Sequence, residues 1–286
     1  MTSRSPSRAE PEPGAGLIRV DRPDDPRLAA YRELSDAALR RRVEEGGAVF
    51  VAEGHLAAGR LARSAYPVVS LLVAEGKAGA FPDLVRAVGS RGAPVYVASP
   101  EVLRATVGFD LHRGVVALGR RSAPAPTGTL VGGPGPLLVA EGLNDHENLG
   151  SLFRNAAALG AGGVLLDPTS ADPLYRRSVR VSLGHVLAVV WARSRDWPAD
   201  LVRLGDAGWR VVALTPDPGA APLRSLPTGG RVALLVGAEG PGLSAAALAA
   251  AGERARIPMS DGVDSLNVAT AAAVALYHLA SVPPGP

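Results

Sequence analysis

The 286-residue sequence contains no cysteine, a single lysine (Lys77) and no apolar run near the ~20 residues that cross a bilayer. Without cysteine there is no disulfide framework, no thiolate zinc site and no cysteine nucleophile. The polar, proline-rich start, MTSRSPSRAEPEPGAG, has no apolar stretch of the kind that a secretory signal needs. We therefore expect a soluble, cytoplasmic protein that makes no contact with membranes.

Several enzyme signatures are missing as well. No G-x-G-x-x-G follows a predicted strand and no G-x-x-x-x-G-K-[ST] occurs, which argues against a dinucleotide-binding enzyme and against a P-loop NTPase. The stretch RVSLG at 180–184 lacks the first glycine of a serine-hydrolase elbow. The five histidines are scattered, with no pair at metal-ligand spacing, so we expect no metal site.

The residues that are present indicate a folded protein with uneven charge. Hydrophobic residues make up 47% of the chain and charged residues 20%, which is enough apolar material for a core. Residues 16–121 carry 16 basic against 12 acidic residues, a balance of +4, whereas residues 122–286 carry 12 against 13, a balance of −1. The excess favours the first half as the region that contacts a polyanion, although ordinary surface charge explains it equally well.

Breaks in composition divide the chain. Residues 1–15 are typical of a disordered tail, and the proline- and glycine-rich stretch SAPAPTGTLVGGPGP at 122–136 is typical of a linker. The sequence thus predicts a first domain at 16–121 and a second domain at 137–286.

The first domain alternates helices and strands, which predicts a small α/β sandwich with a largely parallel sheet. Its helices are predicted at 36–45, 55–65, 82–90 and 100–106, and its strands at 48–52, 68–74, 94–98 and 114–118.

The second domain contains continuous apolar runs typical of strands buried on both faces, and therefore predicts a three-layer α/β fold. Its last helix is alanine-rich and apolar nearly all round, so we expect it to be buried. Its strands are predicted at 137–140, 163–166, 188–191, 211–214 and 232–236, and its helices at 148–159, ended by Gly160, at 200–207 and at 266–279.

Three polar or glycine-rich stretches of the second domain stand out, two directly after predicted strands and one leading into the last predicted helix. They are EGLNDHENLGSLFR at 141–154, VGAEGPGLS at 236–244 and IPMSDGVDSLN at 257–267. Each alone is most simply a turn or a helix cap. Their coincidence indicates a ligand site, because open α/β sheets bind ligands beyond the carboxyl ends of their strands.

Extended along the chain, these stretches resemble the three motifs of the SpoU, or TrmH, RNA 2′-O-ribose methyltransferases of the SPOUT superfamily. The motifs are ENLGSLFRNAAALGAGGVLL, LLVGAEGPGLS and IPMSDGVDSLNVATAAAVALYHL, and the resemblance covers residues 137–280. The first domain, with FVAEGHLAAGRLA, resembles the L30e-like substrate-binding domain often fused ahead of this one, which is an RNA-binding module.

The resemblance implies that the second domain is a trefoil knot, a rare feature among folds, that binds S-adenosylmethionine in a bent shape. It also implies a homodimer and an RNA substrate, for which we favour ribosomal RNA and leave transfer RNA open. By motif position, the cofactor-binding residues are Thr215, Gly237, Ala238, Gly240, Ile257, Met259 and Leu266.

The same resemblance assigns catalytic roles and RNA contacts. In the family the arginine matching Arg154 is taken as general base, but a guanidinium is almost never neutral. We therefore expect Arg154 to grip a phosphate and stabilise a developing alkoxide. The catalytic residues carried over are Asn148, Arg154, Glu239, Ser265 and Asn267, and the RNA-binding residues are Arg176, Arg177, Arg180 and Ser182 of a predicted basic loop. One departure is His146, where the family commonly has proline.

Other interpretations stay open. A SPOUT enzyme that methylates a base nitrogen is the main alternative, and the Asn148/Arg154 and Ser265/Asn267 pairs argue against it. An RNA-binding scaffold with an inactive pocket is disfavoured because the expected polar residues are all present. A nucleotide-using metabolic enzyme is disfavoured because the chain has no phosphate loop.

Overall fold

A computed structural model of the chain describes residues 16–32, 49–108, 111 and 114–279. The chain divides into two compact units, Met1–Arg121 and Ser122–Pro286. The tail predicted at 1–15 and the helix predicted at 36–45 lie outside the described residues. None of the helices in the described ranges has the length and apolar character that crossing a bilayer requires.

The first unit is built on a five-stranded sheet with the strand order β1-β4-β3-β5-β2. A short 3-10 helix, Pro26–Tyr31, follows the first strand. The strands are β1 (Leu17–Val20), β2 (Val49–Glu53), β3 (Val68–Ala74), β4 (Val95–Ala98) and β5 (Val115–Arg120), and the helices are α1 (His55–Arg63), α2 (Pro82–Gly89) and α3 (Pro100–Val107).

The sheet of this unit is mixed, so the prediction of a largely parallel sheet holds for only two of its four strand pairings. Strand β4 pairs in parallel with β1 and β3, but β5 runs antiparallel to both β2 and β3. Alternation of helices and strands predicted β2 to β5 and α1 to α3 but does not fix strand direction. Strand β1 was also not predicted, because its four residues are mostly exposed and carry a short apolar signal.

The second unit is built on a seven-stranded sheet with the order β10-β12-β9-β11-β6-β7-β8, in which every pair is parallel. The strands are β6 (Leu137–Glu141), β7 (Gly163–Leu166), β8 (Trp191–Arg193), β9 (Arg210–Leu214), β10 (Ala221–Pro222), β11 (Val232–Gly237) and β12 (Glu253–Arg256). The helices are α4 (Thr127–Val131), α5 (His146–Ala158), α6 (Arg176–Val181), α7 (Ala199–Asp206), α8 (Ala245–Ala250) and α9 (Val268–Leu279).

The apolar runs form the central strands, as expected for a parallel sheet covered on both faces. Residues 137–140, 163–166 and 232–236 are buried along their whole length. The run at 188–191 was placed too early, since β8 begins at Trp191. Strand β12 was missed because its sequence, ERAR, has a single buried residue.

The stretch predicted as a linker contains α4, whose Leu130 is buried in the core of the second unit beside Leu137, Leu165 and Trp209. The prolines and glycines of this stretch are typical of a loop, so the short helix was not predicted.

The two helices that flank the site differ from expectation in detail. Helix α5 begins at His146 rather than Asn148, because the Asp145 carboxylate caps it by accepting from the Glu147 and Asn148 amides. The expectation that the last helix is buried all round is wrong for the described chain. In α9, Val274 is 42% and Tyr277 75% exposed.

The expected knot stays a prediction. The end of α9 lies against the segment that leads into β11, where the Gly229 amide donates to the Leu279 carbonyl and His278 contacts the Leu226 carbonyl. A C-terminal segment that threads a loop would make contacts of this kind.

Candidate active site

A cavity of about 560 Å³ lies at the carboxyl ends of β9, β11 and β12. Three loops form it, at 214–216, 236–243 and 257–267. All of the residues that the resemblance implied for cofactor binding line this cavity: Thr215, Gly237, Ala238, Gly240, Ile257, Met259 and Leu266.

The glycine-rich loop after β11 folds back on its own start. The Gly242 amide donates to the Ala238 carbonyl at 3.0 Å, and Gly240 and Gly242 have φ values of 89° and 68°. A Cβ on Gly237 would lie 2.6 Å from the Gly242 carbonyl oxygen and from the Leu243 amide nitrogen. Only glycine therefore fits at the first position of this loop.

Three distant segments meet at the mouth of the cavity. The Asn267 Nδ2 donates to Asn148 Oδ1 at 2.7 Å and to Glu239 Oε1 at 2.8 Å. The Asn267 Oδ1 accepts from the Ala269 and Thr270 amides and thereby caps α9. Asn267 thus fixes the start of a helix and joins two predicted catalytic residues at once.

The remaining two predicted catalytic residues lie differently. Ser265 lines the cavity. The Arg154 side chain is exposed, does not line the cavity and makes no hydrogen bond or ion pair with any described residue. Its neighbour Asn155 faces α9, where its Nδ2 donates to the Ala269 carbonyl. Since successive helical residues are about 100° apart, Arg154 points away from that contact.

A hydrogen-bonded cluster supports the loop between β6 and α5. The Asp167 carboxylate accepts from the Gly142 amide and from the amide and hydroxyl of Ser170, whose Oγ in turn accepts from the Leu143 amide. Burial works to raise the pKa of Asp167, but the hydrogen bonds from Ser170, Thr169 and Gly142 outweigh it and hold that pKa below its usual value. This cluster was not predicted, because its members are ordinary turn residues in the sequence.

Glu141 connects the same loop to the far end of the glycine-rich loop. Its Oε1 accepts from Trp197 Nε1 and from Ser244 Oγ, both at 2.7 Å, and its Oε2 accepts from the Ser244 amide at 2.8 Å. Sequence reasoning missed all three residues as a group. An acidic residue at the end of a buried strand was a signal for Glu141, but nothing indicated Trp197, which is 56 residues away.

The predicted basic loop is the short helix α6. Arg177 pairs with Glu147 at 2.7 Å, Arg180 is exposed and Arg176 is partly exposed. Ser182 is fully buried and donates to the Val179 carbonyl, which corrects the expectation that it contacts RNA. It ends the helix instead.

His146 packs on Tyr175, with the ring centroids 4.0 Å apart, and so joins the starts of α5 and α6. Among the described residues no group of His, Asp or Glu side chains is placed to hold a metal ion.

Comparison with known proteins shows the family of the chain. The SpoU rRNA Methylase family model matches residues 136–277. The chain is 46% identical over 268 residues to an uncharacterized tRNA/rRNA methyltransferase of Mycobacterium bovis, covering 93% of this chain and 92% of that one. It is 30% identical to a 23S rRNA (guanosine-2′-O-)-methyltransferase of Ralstonia nicotianae, covering 68% and 80%.

Among solved structures, an AdoMet-bound rRNA methyltransferase from Sinorhizobium meliloti is similar to this chain with a TM-score of 0.77 and 25% identity, covering 92% of this chain and 97% of that one. The chain therefore belongs to the SpoU rRNA methylase family and is an RNA methyltransferase.

Proposed function

We propose that this chain transfers a methyl group from S-adenosylmethionine to a ribose 2′-hydroxyl of ribosomal RNA. The observation that carries the proposal is the contact of Asn267 with both Asn148 and Glu239 at the mouth of the cavity. The Ralstonia relative is a 23S rRNA (guanosine-2′-O-)-methyltransferase, which supports both the methylated atom and the class of RNA.

The cavity fits this cofactor. Its volume of about 560 Å³ lies within the range of about 300–1,000 Å³ that small-molecule sites occupy. Its lining includes a carboxylate, Glu239, and no lysine or arginine, which suits a cationic sulfonium better than a phosphate group. When bound, S-adenosylmethionine supplies an electrophilic methyl group.

The polar cluster would hold the ribose. Both hydrogens of the Asn267 amide are committed to Asn148 and Glu239. That leaves the Asn148 Nδ2 as a donor and the Glu239 Oε2 as an acceptor, so a 2′-hydroxyl can accept from the first and donate to the second. Orienting one oxygen in this way is the positioning that an in-line displacement needs, and such positioning contributes roughly 7–11 kcal/mol in favourable cases.

Arg154 serves as a charge that grips RNA rather than as a base. A guanidinium stays protonated near neutral pH, and the exposed side chain is available to a phosphate or to a developing alkoxide. The test is the rate of the Arg154→Lys variant as a function of pH. We expect a flat dependence, whereas a rate that recovers steeply at high pH would identify residue 154 as the base.

The first unit, residues 16–121, is an L30e-like RNA-binding domain in this proposal, supported by its basic excess. On α6, Arg176, Arg177 and Arg180 contribute further phosphate contacts. The protein acts in the cytoplasm, where its RNA substrate is made and matured.

The chain also acts as a homodimer. Val274 and Tyr277 are exposed apolar side chains on α9, and a second copy of the chain would cover them. Light scattering of the wild type against a Val274→Arg/Tyr277→Glu variant tests this. We expect the wild type to be a dimer and the double variant to be a monomer. A monomeric wild type would contradict the proposed homodimer.

The function itself is tested by mass spectrometry of nucleosides from ribosomal and transfer RNA of cells with and without the protein. We expect one 2′-O-methylnucleoside of ribosomal RNA to disappear and to return with the wild-type gene but not with the Asn267→Asp variant. Loss of a base-methylated nucleoside would refute the ribose assignment, and loss from transfer RNA alone would refute the RNA class.

A further inference from the structure

Both ends of the glycine-rich loop are attached to one residue. At the start of the loop, Gly237 pairs with Glu141 in the register of β11 and β6. At its end, the Glu141 carboxylate accepts the amide and the hydroxyl of Ser244. The loop from Gly237 to Ser244 is therefore closed by the backbone of Glu141 on one side and by its side chain on the other.

Glu141 is itself held in place from several directions. The indole of Trp197 donates to the same carboxylate oxygen as the Ser244 hydroxyl. The next two amides along the chain, those of Gly142 and Leu143, donate to Asp167 and Ser170. The Glu141 carboxylate thus accepts three hydrogen bonds while the backbone that follows it is held by two more, so its position relative to Ser244 is well defined.

We propose that Glu141 is a positioning residue that holds the glycine-rich loop in the conformation that binds S-adenosylmethionine. The inference rests on the proposed function. Ser244 caps α8 through the Ala247 amide, and the residues just before it, Gly242 and Leu243, form a wall of the cavity. If Ser244 is released from Glu141, Gly242 and Leu243 become mobile. Binding the cofactor must then order the loop again, which weakens the affinity.

The Glu141→Gln variant tests the proposal with little change of shape. Whichever way the new amide is turned, its NH2 group faces either the Ser244 amide or the Trp197 indole, so one donor loses its acceptor. Trp197→Phe removes one donor only and serves as a milder second variant. The matched control is Glu253→Gln, which breaks the ion pair with Arg210 in the same unit but does not line the cavity.

Calorimetry with S-adenosylhomocysteine, kinetics at saturating cofactor and hydrogen exchange of the ligand-free protein give three readouts. For Glu141→Gln we expect a tenfold or larger rise in the dissociation constant, a kcat within threefold of wild type, and faster exchange of the amides at 237–244. Trp197→Phe follows in the same direction with a smaller effect, and Glu253→Gln stays within twofold of wild type.

The outcomes distinguish failure of the positioning role of Glu141 from failure of the proposed function. If the wild type binds S-adenosylhomocysteine and Glu141→Gln binds it equally well with unchanged exchange, the positioning role is wrong and the proposed function stands. If the wild type binds none, the proposed function is wrong, and exchange at 237–244 still decides whether Glu141 fixes the loop. A general loss of protection across the second unit, matched by Glu253→Gln, would reduce Glu141 to an ordinary stabilising residue.

Discussion

The two sheets of this protein are made of similar strands but present their ends differently. In the second unit all seven strands are parallel, and the loops after β6, β9, β11 and β12 lie at one edge. In the first unit β5 runs against both of its neighbours, so the strand ends are shared between two edges. The edge of the parallel sheet is where three distant segments meet around a cavity.

This difference shows why a site can be assembled from residues that are far apart in sequence. Asn148, Glu239 and Asn267 span 119 residues, yet each follows a strand of the same direction. Parallel direction alone brings them to one edge, and hydrogen bonds then fix their relative positions. If the cavity depends only on that edge of the second sheet, changes at the edge should weaken cofactor binding and changes in the first unit should not.

A crowded glycine in each unit gives the sharpest test. In Gly237→Ala the new Cβ meets the backbone of Gly242 and Leu243, which cannot move without reshaping the loop. We expect binding of S-adenosylhomocysteine to weaken at least about 30-fold, or roughly 2 kcal/mol. In Gly119→Ala the Cβ meets side-chain atoms, among them Phe50 Cε1 at 2.7 Å.

For Gly119→Ala we expect a loss of about 1–3 kcal/mol in the stability of the first unit and no change in cofactor binding. Calorimetry and urea unfolding measure the two effects. Gly252→Ala, where a Cβ meets nothing within 4 Å, is the control and should alter neither. The contrast between the units breaks down if Gly119→Ala weakens the cofactor as much as Gly237→Ala does.

The second test separates the cavity mouth from the helix that borders it. Asn267→Asp keeps the acceptor that caps α9 but removes the donor to Asn148 and Glu239 and adds a second carboxylate beside Glu239. We expect kcat to fall about 100-fold with little change in melting temperature.

Asn155→Asp removes the amide that holds Ala269 and should lower stability by roughly 1–3 kcal/mol while sparing kcat. Equal losses of kcat in both variants would show that only the anchoring of α9 matters.

Much of this arrangement could be predicted from the sequence, and the reasons are physical. Continuous apolar runs gave the strands buried on both faces, and the glycine-rich stretch directly after one of them gave the loop at 236–244, whereas Thr215 and the segment at 257–267 were assigned to the cavity by the resemblance. The roles of those residues remain proposals. What the sequence concealed depends on tertiary contacts, as with Trp197, which reaches Glu141 across 56 positions.

Other errors have local causes. Strand direction in the first unit is not encoded in apolar periodicity, so β5 was placed in a parallel sheet. The charged sequence of β12 and the short helix α6 carry too few apolar residues for a periodic signal. Asp145, not Asn148, caps α5, because both residues suit a cap and only the structure distinguishes them.

A smaller effect is expected at α6, for which RNA contacts are proposed. The Arg180 side chain is exposed and makes no hydrogen bond or ion pair with any described residue. Arg180→Gln should therefore weaken RNA binding several-fold, lower the slope of log K against log salt by about 1 and leave cofactor binding unchanged. Arg224→Gln removes a similarly exposed charge from another part of the unit and should leave the RNA affinity within twofold. Equal effects of both variants would indicate a diffuse charge effect and no contact at α6.

The smallest effect is expected where this chain departs from the family pattern. His146 is the first residue of α5, and the Asp145 cap uses the amides of Glu147 and Asn148, so the amide of His146 is not needed there. His146→Pro should thus be accepted at a position that favours proline, with loss of the ring contact to Tyr175, worth about 0.5–1.5 kcal/mol.

The difference in stability between the wild type and His146→Pro should become smaller at acid pH. Burial lowers the pKa of His146 in the folded protein, against the opposing pull of Asp145 and Asp172. The unfolded chain therefore binds more protons as the pH falls below 6.5, the ordinary pKa of a histidine, and the wild type loses stability there through His146, a loss that the proline variant lacks. Urea unfolding at about pH 7.5 and about pH 5 measures the gap between them. A gap that widens in acid would mean that protonated His146 is better accommodated than the neutral ring, contrary to its burial against Tyr175.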